Sequence, residues 1–277
     1  MTKHLLVTGG NQGIGFALCK KLAQDGHKVF LGARSAEKGE AAVKDILSAV
    51  PGANVEFVPC DVSSDDSVKA AASIVKDLID PLKLYAIVNN AGTGLGHGNT
   101  SAIVLNTNLY GTKRVCDAFL PLLCPKQGRV VNVGSGGGPG YVGRVGDVEA
   151  QKMLCGFGSD LTWEWIDSHA KSALNSSEDT NGGYGLSKAL VTCYTMILAR
   201  EHTNIISSAI TPGFIKTRMT ANYGATKLPA EGIVSIMHCL FETLDGNGWY
   251  YGSDAIRSPL HFMRNPGEPE YDGMNPF

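Results

Sequence analysis

The sequence has no long apolar run, no metal-binding spacing and no excess of charge of either sign. Its hydrophobic stretches all stop short of 18 residues, so no membrane-spanning helix is expected. Met1-Thr2-Lys3-His4 leads straight into Leu5-Leu6-Val7, without the apolar region and cleavage site of a secretory signal, and a cytoplasmic location is expected. The formal net charge is −2, which leaves no electrostatic footprint for nucleic acid or an anionic membrane. His-Glu-x-x-His is absent, and no metal is expected. The seven cysteines, at 19, 60, 116, 124, 155, 193 and 239, form no Cys-x-x-Cys and are odd in number. That argues against a disulfide framework and for a reducing compartment, with each thiol a small buried hydrophobe. There is no internal repeat, low-complexity tract or interdomain linker. What remains is a chain of 277 residues, 43% hydrophobic, with ample material for a core.

Apolar and amphipathic stretches alternate from the start. Residues 3–8 read as a strand, Gly9 to Gly15 as a glycine turn, the stretch with Phe16, Leu18, Cys19 and Leu22 as a helix, and Val29-Phe30-Leu31 as a second strand. Strand, glycine turn, helix, strand is the context a dinucleotide loop needs. Small residues let backbone approach a pyrophosphate, and the helix start offers N–H donors. A glycine turn can also merely cap a strand. The second strand ends Leu31-Gly32-Ala33-Arg34, with no acid until Glu37. An acid there would favour the ribose hydroxyl of NAD, whereas Arg34 presents a fork suited to the 2′-phosphate of NADP. A solvated arginine opening a helix is the bland alternative.

The pattern continues with a helix from Ala36 to Val50, a strand over 55–58, a helix from Val68 to Ile79 and a buried strand over 84–88. Ser63, Ser64 and Asp65 suit a helix cap. A long helix is expected from about Ser101 to Leu120, a fifth strand over 128–133, a helix over 161–170 capped by Ser159 or Asp160, and a polar connector over 175–183. A helix from Tyr184 to His202, a strand over 204–210, a helix from Pro229 to about Thr243 and a short strand over 249–251 follow. The implied fold is one α/β domain over residues 1–277, doubly wound, with a mostly parallel sheet of about seven strands and helices on both faces. A helical insert at about 140–182 and an irregular tail at about 258–277 depart from the alternation. Trp163, Trp165 and His169 read as packing residues, and His97 as an exposed histidine in a glycine-rich loop that could face a substrate.

Tyr184-Gly185-Leu186-Ser187-Lys188 carries the most specific chemistry. It sets a phenol and an ammonium four residues apart, on one helix face. The ammonium would favour phenolate and lower the phenol's pKa, so that the phenol could exchange a proton with a carbonyl or alcohol. Alone, such a pair is also what a solvated helix face carries. Ser135, at the end of the fifth strand, stands where α/β folds bind ligands, although a serine before three glycines could be only a turn residue.

Taken in order, Thr8-Gly9-x-x-x-Gly13-Ile14-Gly15, Asn89-Asn90-Ala91-Gly92, Asn108-x-x-Gly111, Ser135, Tyr184-x-x-x-Lys188 and Pro212-Gly213-x-x-x-Thr217 resemble the short-chain dehydrogenase/reductase family. The resemblance implies reversible hydride transfer between NADP(H) and a small-molecule carbonyl or alcohol, in the reducing direction a ketone, aldehyde or quinone. It implies Tyr184 as proton donor, Lys188 as the group that lowers its pKa and holds the nicotinamide ribose, and Ser135 as the carbonyl's hydrogen-bond partner. Asn108 would support a proton relay through its backbone carbonyl. Gly9, Asn11, Gln12, Gly13, Ile14 and Gly15 would hold the cofactor phosphates, with Arg34 on the 2′-phosphate. Asp61 and Val62 would lie on the adenine, and Asn89, Ala91 and Gly92 would border the cofactor. Pro212, Gly213, Ile215 and Thr217 would hold the carboxamide and neighbouring phosphate. Gln12 departs from relatives that carry a basic residue there. The 48 residues between Ser135 and Tyr184 resemble the carbonyl-reductase-like branch, whose insert covers a dimerisation surface, so a monomer is expected; a substrate lid is the other reading. Alternatives of the same fold are a non-catalytic NADP-sensing regulator, an alcohol dehydrogenase working oxidatively, and an epimerase or dehydratase, against which the Thr8–Gly15 spacing speaks.

Overall fold

The computed structural model describes residues 1–94, 98–158, 160–174 and 183–277. Seven strands form one sheet: β1 (His4–Thr8), β2 (Lys28–Ala33), β3 (Asn54–Pro59), β4 (Ala86–Asn89), β5 (Arg129–Val133), β6 (Ile206–Ile210) and β7 (Tyr250–Tyr251). Their spatial order is β3-β2-β1-β4-β5-β6-β7, and every pairing is parallel. The order reverses beside β1, between β2 and β4. That switch point opens a crevice at the strands' carboxyl ends, where the connecting segments diverge.

Both faces of the sheet are covered, which is why its strands read as unbroken apolar runs. Leu5, Val7, Val29, Leu31, Val88 and Val131 face one core with Leu18, Leu22, Ile236 and Leu240. Leu6, Phe30, Ile87 and Val130 face the other, with Leu109, Phe119, Leu190 and Ile197. Neighbouring strand residues point to opposite sides, so Leu5 and Leu6 belong to different cores.

The helices α1 (Gly13–Gln24), α2 (Ala36–Ala49) and α3 (Asp65–Ile79) follow the first three strands. Ser35 caps α2 and Ser64 caps α3, each accepting a backbone N–H three residues on. The helix expected from Ser101 to Leu120 is interrupted. It runs as α4 (Ser101–Leu105), a π-turn (Asn106–Tyr110) and α5 (Gly111–Phe119). Asparagine is a poor interior residue because its amide competes for backbone groups, and both Asn106 and Asn108 fall inside the π-turn. Arg114 stabilises it from the next turn, donating to the Asn106 carbonyl at 3.2 Å and to its side-chain oxygen at 2.8 Å.

The insert holds more helix than its sequence suggests. Besides α8 (Trp163–Leu174) it contains α6 (Gly137–Val142) and α7 (Val148–Leu154). The glycines at 136–138 read as a turn, yet two of them belong to α6. They let α6 lie very close to α9 (Tyr184–Glu201). A Cβ on Gly138 would stand 3.1 Å from the Ala189 nitrogen, and one on Gly185 would stand 2.9 Å from the Gly137 carbonyl. On α8, Trp163 sits edge-on to Tyr194 and to Tyr110, Tyr110 donates to Asp167 at 2.7 Å, and Trp165 stacks on His169. All three insert residues singled out in the sequence are therefore packing residues. His97, Ser159 and the connector over 175–182 lie outside the described residues. The chain closes with α10 (Val234–Phe241), β7 and a tail without regular structure. Among the described residues no helix is long and apolar enough to cross a membrane.

Candidate active site

The glycine turn after β1 is tied to the turn after β4. Thr8 Oγ1 accepts from the backbone nitrogens of Asn90 and Ala91, both at 3.1 Å. The Asn90 amide returns bonds to the carbonyls of Thr8 at 3.0 Å and Gly9 at 3.2 Å. The backbones then approach so closely that a Cβ on Gly15 would lie 2.3 Å from the Gly9 oxygen. Gly13 has φ +57°, a conformation that disfavours side chains, and a Cβ there would stand 3.3 Å from the Thr217 methyl. Ile14 and Ile215 meet over Gly232. The PGxxxT segment is thus folded back on the glycine turn.

These features fit a dinucleotide. Gln12 caps α1 without a side-chain bond, and no acid occupies the first turn, so the helix start keeps donors for an anionic group. Arg34 is exposed just past the end of β2. It makes no ion pair among the described residues and is free to meet a phosphate.

Four separated residues converge at the carboxyl ends of β4 and β5. A Cβ on Gly92 would stand 3.3 Å from Asn108 Oδ1 and 3.5 Å from Lys188 Nζ. One on Gly137 would stand 3.4 Å from the Tyr184 ring and 3.5 Å from Ser135 Oγ. Asn108 is fully engaged. Its amide nitrogen donates to Thr93 O at 3.0 Å and Ser187 Oγ at 2.9 Å, its side-chain oxygen accepts from Thr93 N at 2.8 Å, and its carbonyl accepts from Thr112 at 2.7 Å. That carbonyl is the group the family resemblance assigns to a proton relay.

Burial is the main influence on the Tyr184 phenol in this structure, and Lys188 is hydrogen-bonded elsewhere. Its Nζ lies 5.9 Å from the ring centre and donates to the Val133 carbonyl at 2.7 Å. Burial pushes the Tyr184 phenol above its ordinary value, opposed by a hydrogen bond with the Ser135 hydroxyl. Desolvation also brings Lys188 down, to about 8. Near neutral pH the phenol keeps its proton and the ammonium is largely charged.

Asp61, Val62 and Asn89, expected beside the cofactor, also have partners within the chain. The Asp61 carboxylate accepts from the Ser63 nitrogen at 3.0 Å and hydroxyl at 2.6 Å, and Val62 packs against Gly111. Asn89 donates to Asn132 at 2.8 Å, and Asn132 to Thr195 at 2.8 Å, so these amides brace the sheet beneath α9. Thr211 was not singled out by the motif reading, yet its hydroxyl accepts from Gly136 N at 3.1 Å and Gly213 N at 3.4 Å. It joins the loop after Ser135 to the PGxxxT loop, and only its place just ahead of Pro212 signalled it.

Comparison with known proteins agrees with this geometry. A family model described as short chain dehydrogenase matches residues 3–146. Over 261 aligned residues the chain is 31% identical to (+)-neomenthol dehydrogenase of Arabidopsis thaliana, covering 80% of this chain and 86% of that protein. It is also 31% identical to carbonyl reductase [NADPH] 1 of Mus musculus over 277 aligned residues, with 88% and 92% covered. The structure of salutaridine reductase from Papaver somniferum superposes with a TM-score of 0.77 at 29% identity, over 90% of this chain and 99% of that one. With the glycine turn, the serine and the tyrosine–lysine pair gathered at the carboxyl ends of the central strands, the chain belongs to the short-chain dehydrogenase family of nicotinamide-dependent oxidoreductases.

Proposed function

We propose that the protein is an NADPH-dependent carbonyl reductase in which Tyr184 is the general acid. The observation that carries this reading is the meeting of Tyr184, Ser135, Lys188 and Asn108 beside a glycine turn shaped for a dinucleotide. When bound, the cofactor supplies a hydride to the carbonyl carbon. The chain supplies position and a proton. Ser135 Oγ donates a hydrogen bond to the carbonyl oxygen, and Tyr184 gives that oxygen its proton. Lys188 stays charged near the phenol, holds the nicotinamide ribose and, with Asn108, replaces the proton. A phenol that keeps its proton at neutral pH suits reduction, because an acid must arrive protonated.

NADPH is preferred to NADH because Arg34, with no acid beside it on the strand end, offers a fork to the 2′-phosphate. Gly9, Asn11, Gln12, Gly13, Ile14, Gly15, Ala91, Gly92, Pro212, Gly213, Ile215 and Thr217 form the rest of the cradle. The name of the mouse relative, carbonyl reductase [NADPH] 1, supports both the cofactor and the direction. The protein is read as a cytoplasmic monomer, with α8 packed across the face that α9 and the π-turn present. The test is NADPH consumption, followed by absorbance, over a panel of ketones, aldehydes and quinones. Oxidation of NADPH with at least one of them is expected; inertness toward the whole panel would remove the reading.

A further inference from the structure

We propose that Met219 and Met263 form a clamp on either side of Tyr184 that selects bulky apolar ring ketones, and that a buried Arg264–Asp254 pair sets the tail half of that clamp. The inference rests on the carbonyl-reductase reading and concerns the part of the site that the family motifs leave open.

The two edges of the Tyr184 ring face different segments. A Cβ on Gly94 would touch the Cδ2 edge at 3.8 Å and the Met219 side chain at 3.7 Å. A Cβ on Gly137 would touch the Cε1 edge at 3.4 Å. The adjacent Gly136 lies under the tail, where a Cβ would stand 2.7 Å from the Met263 sulfur. One methionine therefore comes from the loop after Thr217, beside Gly94 and one edge of the phenol, and the other from the tail, on the glycine next to the one that faces the phenol's other edge. Both keep apolar surface in solvent, with Met219 39% and Met263 60% exposed. Phe214 and Phe262, neighbours of these segments in sequence, are about half exposed as well. Exposed apolar side chains on the segments beside the phenol mark a surface suited to an apolar partner. Thioethers adapt to irregular ring shapes and pack well against them. Neither methionine can satisfy a charged or strongly hydrogen-bonding group, so the clamp disfavours polar carbonyl compounds.

The tail could not hold Met263 there by burial alone, since most of that side chain is in solvent. The next residue anchors it. Arg264 has only 3% of its side chain exposed. Its guanidinium meets both Asp254 oxygens, at 2.5 and 2.6 Å, and donates to Ser258 at 3.1 Å and to the carbonyls of Asn265 and Glu268, both at 2.9 Å. Asp254 itself sits in a tight turn in which Ala255 has φ +63° and donates to Ser235 of α10. One guanidinium nitrogen, Nη2, meets both carboxylate oxygens, and with the other two nitrogens engaged the planar group is fixed in direction as well as distance. Arg264 and Asp254 are positioning residues and touch no reacting atom.

The test compares 4-tert-butylcyclohexanone with propanal, each reduced with NADPH. Met263→Gln changes an exposed side chain and leaves the fold alone. It is expected to lower the ratio of kcat/KM for the ring ketone over that for propanal about tenfold, mainly through KM, the size expected for apolar pocket contacts. Asp254→Asn is expected to lower the same ratio in the same manner, by a smaller factor. A Met263→Gln ratio within about twofold of the parent overturns the clamp. An Asp254→Asn loss that falls equally on both substrates through kcat makes the pair ordinary structural support and overturns its positioning role. Failure of the unaltered protein to reduce either compound, or any carbonyl in the wider panel, removes the reductase reading and the clamp with it.

Discussion

The two halves of the site are held in different ways. Around β1 and β4, motif side chains are fixed by short bonds: Thr8 to the backbone of Asn90 and Ala91, Asn90 to that of Thr8 and Gly9, and Asn108 to the Thr93 backbone and the Ser187 hydroxyl. Around the mouth, exposed side chains rest against glycines: Met219 near Gly94 and Met263 over Gly136. The first half must present the same geometry to the same cofactor in every turnover. The second is the half proposed to meet the substrate, and the Arg264–Asp254 pair follows Met263 directly in the tail.

That contrast can be broken in several ways. The largest effect is expected at the acid itself. Tyr184→Phe should lower kcat by about 10²–10⁴-fold, the range for loss of a general acid, and leave NADPH binding, followed by fluorescence, intact. Near-normal turnover would show that the proton comes from elsewhere. Next is the cofactor half: Arg34→Asp should shift the NADPH/NADH ratio of kcat/KM by about 10-fold or more, because a charge-assisted bond is exchanged for a repulsion. An unchanged ratio would take the phosphate away from Arg34.

A third prediction concerns pH. In the proposed mechanism, reduction needs Tyr184 protonated and Lys188 charged. Lys188 titrates near about 8 in this structure, so the rate should fall as pH rises through that region. A flat profile from pH 7 to about 9 would mean that the ammonium's charge is not needed, since that window spans its titration.

The smallest effect is on stability, and its sign is opposite to that on rate. Lys188 binds its proton less readily folded than unfolded, with a pKa of about 8 against 10.5. The unfolded chain therefore holds more protons between those values, and stability should rise with pH across that window. Lys188→Met should remove this rise and raise stability at pH 7 by about 1–2 kcal/mol, less than the full shift because the Val133 carbonyl loses its donor. The same variant should be nearly inactive. Parallel denaturant curves at pH 7 and pH 9 would check it; a Met variant that keeps the parent's pH slope would assign the slope to another group.

The architecture and the core of the site were legible in the sequence for one reason. Parallel strands buried on both faces write unbroken apolar runs, and loops that touch a cofactor backbone write glycines at fixed spacing. Gly9 to Gly15 and Tyr184 to Lys188 each have a plainer reading alone, and it is their order along the chain with Asn89 to Gly92 that points to one site. What sequence missed was set by tertiary contact. Gly137 and Gly138 read as turn because glycine is a poor helix former, and only the close approach of α9 explains a helix there. The downward push on the Tyr184 pKa was inferred from spacing, whereas the direction Lys188 takes depends on a carbonyl 55 residues away along the chain. The cap of α3 shows the reverse: Ser64 was among the residues suited to it, and it accepts from Ser67 as expected.

The cysteines have a practical consequence. Six of the seven thiols are buried, and burial raises the pKa of each of the six. Only Cys124 reaches the surface in part, just ahead of β5 at the amino ends of the strands, across the sheet from the phenol. A maleimide dye should therefore label one position in the native protein, and it would do so without a cysteine-free background and away from the chemistry it reports on.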